Sequence, residues 1–126
     1  LGVEVHAVLP RLSGRFIAEW RASGAVLHEL DASLPLRRPW EWAGRARALQ
    51  GLVASLAPDL LHAHFVTNIL FARLALGRSR LPRIFQVPGP LHLEHPLFRT
   101  GEVASADRRD WWVASSRFIR ARYLAQ

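Results

Sequence analysis

Two pairs of histidines have the residue types and the spacing that could support chemistry. His62 and His64 end the segment Asp59–Phe65, which is typical of a buried strand. Residues i and i+2 of a strand point to the same face. His92 and His95 follow the next predicted strand, at a spacing that shares a face on a helical turn. Four imidazoles at adjacent strand ends could bind zinc, or they could orient a substrate and move its protons.

The two interpretations of the histidines differ in what else they need. A metal site would gain from carboxylate ligands, and only Asp59 and Glu94 stand near these histidines in the sequence. We therefore assign no metal ligand. His64 is nearest the end of the strand, and we predict that it contacts a substrate. His62 lies one step further inside, and we predict that it has a structural role, through a hydrogen bond to a neighbouring loop.

The segment Val87–Pro96 is predicted to be a rigid turn that carries polar groups. The prolines on both sides of Gly89 fix the backbone, and Gly89 itself permits close approach of a ligand. In the functional interpretation His92 and Glu94 project into a cleft as acceptor-binding or proton-transfer groups. In the structural one the segment is a plain connection stiffened by proline.

A second polar stretch, from Ser115 to Arg117, lies between the last predicted strand and the last predicted helix. The N-terminus of a helix presents free N–H groups that can bind a phosphate group or a substrate hydroxyl. A serine before an apolar run most often caps a helix, and we assign that role to Ser116. Ser115 and Arg117 are the predicted substrate-binding residues here.

Strands and helices alternate along the whole sequence. Strands are predicted over Val3–Leu9, Ala25–Leu30, the segment from Asp59, Arg83–Val87 and Trp111–Ser115. Helices are predicted after Gly14, over Trp40–Leu56, from Thr67 or Asn68 as cap to Gly77, and after Ser116. Residues 91–110 are predicted to form a loop with a helical turn. This order indicates an α/β fold with a parallel sheet and helices on both faces. In such sheets ligands bind at the carboxyl ends of the strands.

Composition limits the class of protein. The chain has 126 residues, enough for one domain, and its lack of Cys excludes disulfides and cysteine chemistry. All 17 basic residues are Arg and the net charge is +7, which favours anionic partners such as phosphate groups, nucleotides or an acidic membrane surface. No apolar run approaches the roughly 20 residues of a membrane span.

A nucleic-acid partner is not predicted. Nucleic-acid binding would require aromatic residues between the basic ones on one exposed surface. The tryptophans nearest the arginines are instead predicted to pack in the core: Trp40, Trp42, Trp111 and Trp112.

Three segments resemble the N-terminal domain of glycosyltransferase family 4 enzymes, which have the GT-B fold. Residues 58–64 match its pattern Pro-Asp-apolar-apolar-His-x-His. Residues 1–10 are similar to the family's segment in which a glycine precedes a strand. Residues 111–124 resemble a strand-to-helix passage, with Ser116 and Arg120 at matching places. The resemblance extends from residue 1 to about residue 124.

The resemblance implies a Rossmann-like acceptor domain of a retaining glycosyltransferase, a hexosyltransferase that uses a nucleotide-sugar donor and a glycan or lipid-linked acceptor. In such enzymes a C-terminal domain holds most of the donor, and neither a cofactor nor a metal ion is required. It also implies that His64, Gly89 and Ser115 line the cleft, while His92 and Glu94 orient the acceptor or help to move its proton. The expected setting is bacterial polysaccharide or glycolipid synthesis, in the cytoplasm, with peripheral contact at the inner face of the membrane.

The sequence departs from the family pattern in two respects. Many members carry a histidine directly after the strand that matches Arg83–Val87, where this sequence has Pro88; His92 is the candidate replacement. The family's first strand with its Gly-rich loop, and the donor domain with its Glu-x7-Glu motif, are not found in these residues. We therefore expect residues 1–126 to be part of an acceptor domain that is inactive alone.

Two other functions remain open on the sequence alone. The first is a metal-binding, hydrolase-like domain that uses His62, His64, His92 and His95. The second is a non-catalytic, Arg-rich binding domain.

Overall fold

The computed structural model describes residues 2–77, 79–87, 89 and 94–125. The chain forms two compact units, one of residues 1–32 and one of residues 33–126. Within the described residues there are five strands and five α-helices.

The first unit is a strand–helix–strand segment, with strand β1 (His6–Leu9), helix α1 (Phe16–Ala22) and strand β2 (Val26–Glu29). The two strands pair in parallel. Both are shorter than predicted, because the ladder between them extends over four residue pairs. Across the ladder His6 Nδ1 and His28 Nε2 lie 3.0 Å apart.

The second unit continues the alternation around a three-stranded sheet. Its elements are helix α2 (Trp42–Leu56), strand β3 (Leu61–His64), helix α3 (Val66–Leu76), strand β4 (Arg83–Val87), helix α4 (Pro96–Ser105), strand β5 (Asp110–Ala114) and helix α5 (Arg117–Leu124). The strand order is β3-β4-β5 and both pairings are parallel. The predicted α/β class with a Rossmann-like parallel arrangement is confirmed.

The two faces of the three-stranded sheet differ in burial. Phe85 and Val87 of β4 are fully buried beneath the helices, and Trp112 of β5 lies on the same face. The core on this side is completed by apolar residues of α3, among them Ile69 and Phe71, which have no exposed surface. Alternation along the strands places every second residue on the other face, where β3 and β5 are exposed.

The start of α3 differs from the prediction. The helix begins at Val66, so neither Thr67 nor Asn68 caps it, and no side chain bonds its first turn. Instead the carbonyl of Phe65 accepts hydrogen bonds from the N–H groups of Asn68 (3.1 Å) and Ile69 (2.9 Å). The predicted cap of α5 is confirmed, because Ser116 Oγ accepts from the N–H of Ile119 at 3.2 Å.

The prediction of a loop between β4 and β5 is wrong for residues 96–105, which form the ten-residue helix α4. Pro96 occupies the first turn, where its missing N–H has no intrahelical partner to lose. Gly101 faces α3, and a Cβ at that position would lie 3.5 Å from the methyl carbons of Leu70. Packing against α3 therefore stabilises a helix that its local sequence favours only weakly.

A buried network of two arginines and two carboxylates lies at the amino ends of β4 and β5. Arg73 Nη1 lies 3.1 Å from Glu102 Oε1 and donates to the Glu102 carbonyl at 3.0 Å. Arg73 Nε lies 2.9 Å from Asp110 Oδ2, and Arg83 Nε donates to Asp110 Oδ1 at 2.7 Å. The four formal charges cancel, which is the condition under which charges can be buried.

Aromatic rings enclose the charge of Arg73. Its guanidinium carbon lies 4.3 Å from the centre of the Trp112 ring and 4.6 Å from that of Phe85. Burial lowers the pKa of Arg73, and the carboxylates of Glu102 and Asp110 oppose that shift. The network thus joins α3, α4 and both strands at the edge of the sheet opposite the predicted site.

Candidate functional site

The carboxyl ends of β3, β4 and β5 meet at one edge of the three-stranded sheet. His64 ends β3 and lies in register with Gln86, one residue before the end of β4. The N–H of Ser115, directly after β5, donates to the carbonyl of Val87 at 3.3 Å. The fold therefore brings the predicted residues at positions 64, 89 and 115 to neighbouring strand ends, as the parallel order requires.

His62 and His64 share a face, as their spacing predicts. Their ring centres are 4.3 Å apart and the ring planes are tilted by 37°. Both residues are exposed, on the face of the sheet that α3 does not cover. The structural role of His62, through a contact to a neighbouring loop, stays a prediction. Two neighbouring imidazoles on an open surface can donate hydrogen bonds to a bound molecule and accept them from it.

The pKa of His62 depends on its surroundings in the folded chain. Partial burial lowers the pKa of His62 from its ordinary value of 6.5, and the charge of the neighbouring His64 lowers it further. Because the folded state disfavours the His62 proton, the unfolded state binds it more readily. Stability from this residue is therefore present above about pH 6.5 and is lost as the pH falls through the folded pKa.

We expect the substitution His64→Asn to raise the pKa of His62 part of the way back to 6.5, because burial remains as the larger cause. Histidine ring resonances followed by NMR across the pH range measure this shift. His95→Asn is the matched control, since the His95 ring packs on Phe98 in another element. An unchanged His62 pKa in His64→Asn would show that the two rings do not interact electrostatically.

Three of the predicted site residues, Gly89, His92 and Glu94, follow β4 in the sequence. Gly89 is half-buried just beyond the end of β4, and Glu94 is exposed shortly before α4. His92, and Pro88 at the place of the family histidine, lie outside the described residues. The functional interpretation of this segment therefore stays a prediction for Gly89, His92 and Glu94.

Ser115 and Arg117 flank the capping serine at the start of α5, and both are exposed. Arg117 borders a groove of about 670 Å³. The groove begins at the last residues of β4 and β5, Val87 and Ala114, and is lined further along by apolar residues of α4 and α5. Arg120 adds a second cation to its rim. Sequence reasoning did not find this groove, because it depends on the presence of α4.

The prediction for the tryptophans is wrong for two of the four. Trp40 is 76% exposed and Trp111 is 69% exposed. Trp42 packs edge-on against Phe71, and Trp112 lies on the covered face of the sheet. Trp111 is exposed because it occupies the alternate position of β5, which points to the open face.

The described part of the chain has neither a metal-binding cluster nor a membrane-spanning helix. No three histidine or carboxylate side chains there come together as a set that could hold a metal ion. In the same residues, no helix has both the length and the apolar character needed to span a bilayer.

Comparison with known proteins identifies the family of this chain. The sequence model of Glycosyltransferase Family 4 matches residues 1–126. The chain therefore belongs to Glycosyltransferase Family 4, and this membership supports a transferase role with a sugar donor and an acceptor as partners. Neither the curated proteins nor the solved structures include a significant match.

Proposed function

We propose that this chain supplies the acceptor side of a retaining glycosyltransferase. The enzyme would move a hexose from a nucleotide-sugar donor to a glycan or lipid-linked acceptor. The observation that carries the proposal is the convergence of His64, the turn at Gly89 and Ser115 on one sheet edge, in a chain that belongs to this family.

Each residue at this edge has a task that its chemistry suits. His64 is exposed at the end of β3 and can hydrogen-bond an acceptor hydroxyl. Gly89 lets the backbone approach the acceptor closely, since it has no side chain. Ser115 and Arg117 lie at the start of α5, where N–H groups and a cation favour a phosphate group. His92 and Glu94 would orient the acceptor or accept its proton.

The positive net charge of the chain favours anionic partners. A net charge of +7 favours phosphate-bearing substrates and the inner face of a bacterial membrane, where a lipid-linked acceptor would lie. We propose a cytoplasmic enzyme of polysaccharide or glycolipid synthesis with peripheral membrane contact. The donor would be bound mainly by a second domain.

A sugar-transfer assay tests this function. The full-length gene product would be incubated with a panel of nucleotide sugars and with glycan and lipid-linked acceptors. We expect transfer by the wild type, and about a 10-fold rise in acceptor KM for His64→Ala. That factor corresponds to one hydrogen bond worth ~1.4 kcal/mol.

Arg38→Gln is the control, because Arg38 makes an exposed ion pair with Glu41 far along the chain from the strand ends. It should leave KM unchanged. Absence of transfer with every donor would contradict the function. Transfer with an unchanged KM in His64→Ala would contradict the role of His64 alone.

A further inference from the structure

Phe65, directly after β3, has a backbone conformation that bulky residues rarely adopt. Its φ of 66° and ψ of 142° lie close to a region that is used almost only by glycine. Ala57, the other non-glycine residue with positive φ among the described residues, has φ 44° and ψ 53°, the left-handed conformation that commonly ends a helix. Phe65 is the more strained of the two.

The side chain of Phe65 gains little from the fold. The residue is 63% exposed. Its contribution to α3 is the main-chain carbonyl that accepts from Asn68 and Ile69. A glycine would supply the same carbonyl and would adopt the same φ and ψ without strain. Neither helix capping nor the core therefore accounts for an aromatic ring at this position.

The position of Phe65 suggests what the ring contacts. It follows His64 at the carboxyl edge, next to the strand end that leads to Gly89. A pyranose ring has hydroxyl groups at its rim and a patch of C–H groups on its face. The electron-rich face of an aromatic ring attracts such C–H groups, and polar residues nearby can bind the hydroxyls.

We propose that Phe65 is the platform on which the pyranose ring of the acceptor stacks, with His64 bonded to one of its hydroxyls. The proposal rests on the proposed function and adds the substrate class, a C–H face of a hexopyranoside. Strained conformations persist at binding sites where the side chain is needed in that place. Phe65 thus sets the affinity for the sugar ring, while the polar residues select among hydroxyl patterns.

A paired comparison of two glycine variants tests this role in the full chain. Phe65→Gly and Ala57→Gly both relieve a positive φ, so we expect each to raise the Tm by a few degrees. Only Phe65→Gly should weaken binding of the probes methyl β-D-glucopyranoside, methyl β-D-galactopyranoside and methyl α-D-mannopyranoside. We expect a loss of about 5-fold, measured by NMR titration.

Two further variants separate aromaticity from bulk. Phe65→Tyr should bind the glycosides as the wild type does, and Phe65→Leu should bind them as weakly as Phe65→Gly. A fall in Tm for Phe65→Gly would show that the ring is structural and would overturn the proposal. Equal glycoside affinity in all variants would also overturn the stacking role of Phe65, but it would leave the acceptor role of the chain intact. Absence of glycoside binding to the wild type would overturn both the stacking role and the acceptor role.

Discussion

Replacing Asp110 by alanine should lower the free energy of unfolding by about 3–5 kcal/mol, the range for removing one partner of a buried ion pair. Asp110 accepts from Arg83 through one oxygen and pairs with Arg73 through the other. The Asp110 side chain has no exposed surface, and those of the two arginines have almost none. The substitution would leave two buried cations, and the remaining carboxylate, Glu102, is paired with Arg73.

Urea denaturation measures this loss, and Arg38→Gln provides the control. The Arg38–Glu41 pair is also an Arg–carboxylate contact, at 3.0 Å, but 66% of the Arg38 side chain is exposed. We expect its removal to change the unfolding free energy far less than Asp110→Ala does, because exposed ion pairs contribute little to stability. Equal effects of the two substitutions would show that the network at the amino ends of β4 and β5 does not hold the second unit together.

Phe85→Ala should destabilise the chain by a similar amount, about 3–5 kcal/mol, because it opens a cavity at the centre of the sheet. Phe85 lies on the middle strand, has no exposed surface, and contacts both the Arg73 guanidinium and the Trp112 ring. The loss would combine the transfer free energy of the ring with the aromatic surface that it gives to Arg73.

Two comparisons make the Phe85 experiment specific. Phe85→Leu keeps most of the volume, and its effect should stay below about 1.5 kcal/mol. Phe118→Ala removes a ring that is 62% exposed, and its effect should lie within about 0.5 kcal/mol of zero. A large loss in Phe118→Ala with a small one in Phe85→Ala would contradict the assignment of the core to the helix-covered face of the sheet.

Local sequence signals predict the strands well. Arg83–Val87 is bounded by Pro82 and Pro88 and has alternate residues that suit one buried face, and the observed strand has the same limits. The strand at positions 61–64 and the alternation of helices around it follow from apolar pattern in the same way. These features depend on residues that are close in sequence, which is why they could be predicted.

Features that depend on distant residues could not be predicted. Arginines are mostly exposed, so nothing in the local sequence of α3 marks Arg73 as buried. Its partner Glu102 is 29 residues away, and Arg83 is 27 residues from Asp110. Helix α4 was missed for the same reason, because Pro96 and Gly101 weaken the local helical signal while packing against α3 supplies the stability.

The candidate site was predicted in part. The spacing of His62 and His64 predicts that both side chains lie on one face of the sheet. The parallel strand order predicts that His64 and Ser115 lie at the same edge of the sheet, and the structure has both features. The strained conformation of Phe65 has no sequence signal, because an aromatic residue after a strand ordinarily indicates burial. The groove beside Arg117 also needed the fold, since residues of β4, α4, β5 and α5 line it together.

Chemical-shift mapping of the labelled chain with the methyl glycosides tests most directly whether the carboxyl edge of the β3-β4-β5 sheet recognises the acceptor sugar. The proposed site predicts that the largest amide shifts occur at His64, Phe65, Gly89 and Ser115. Shifts confined to the opposite edge, around Arg83 and Asp110, or no shift at the carboxyl edge, would contradict it.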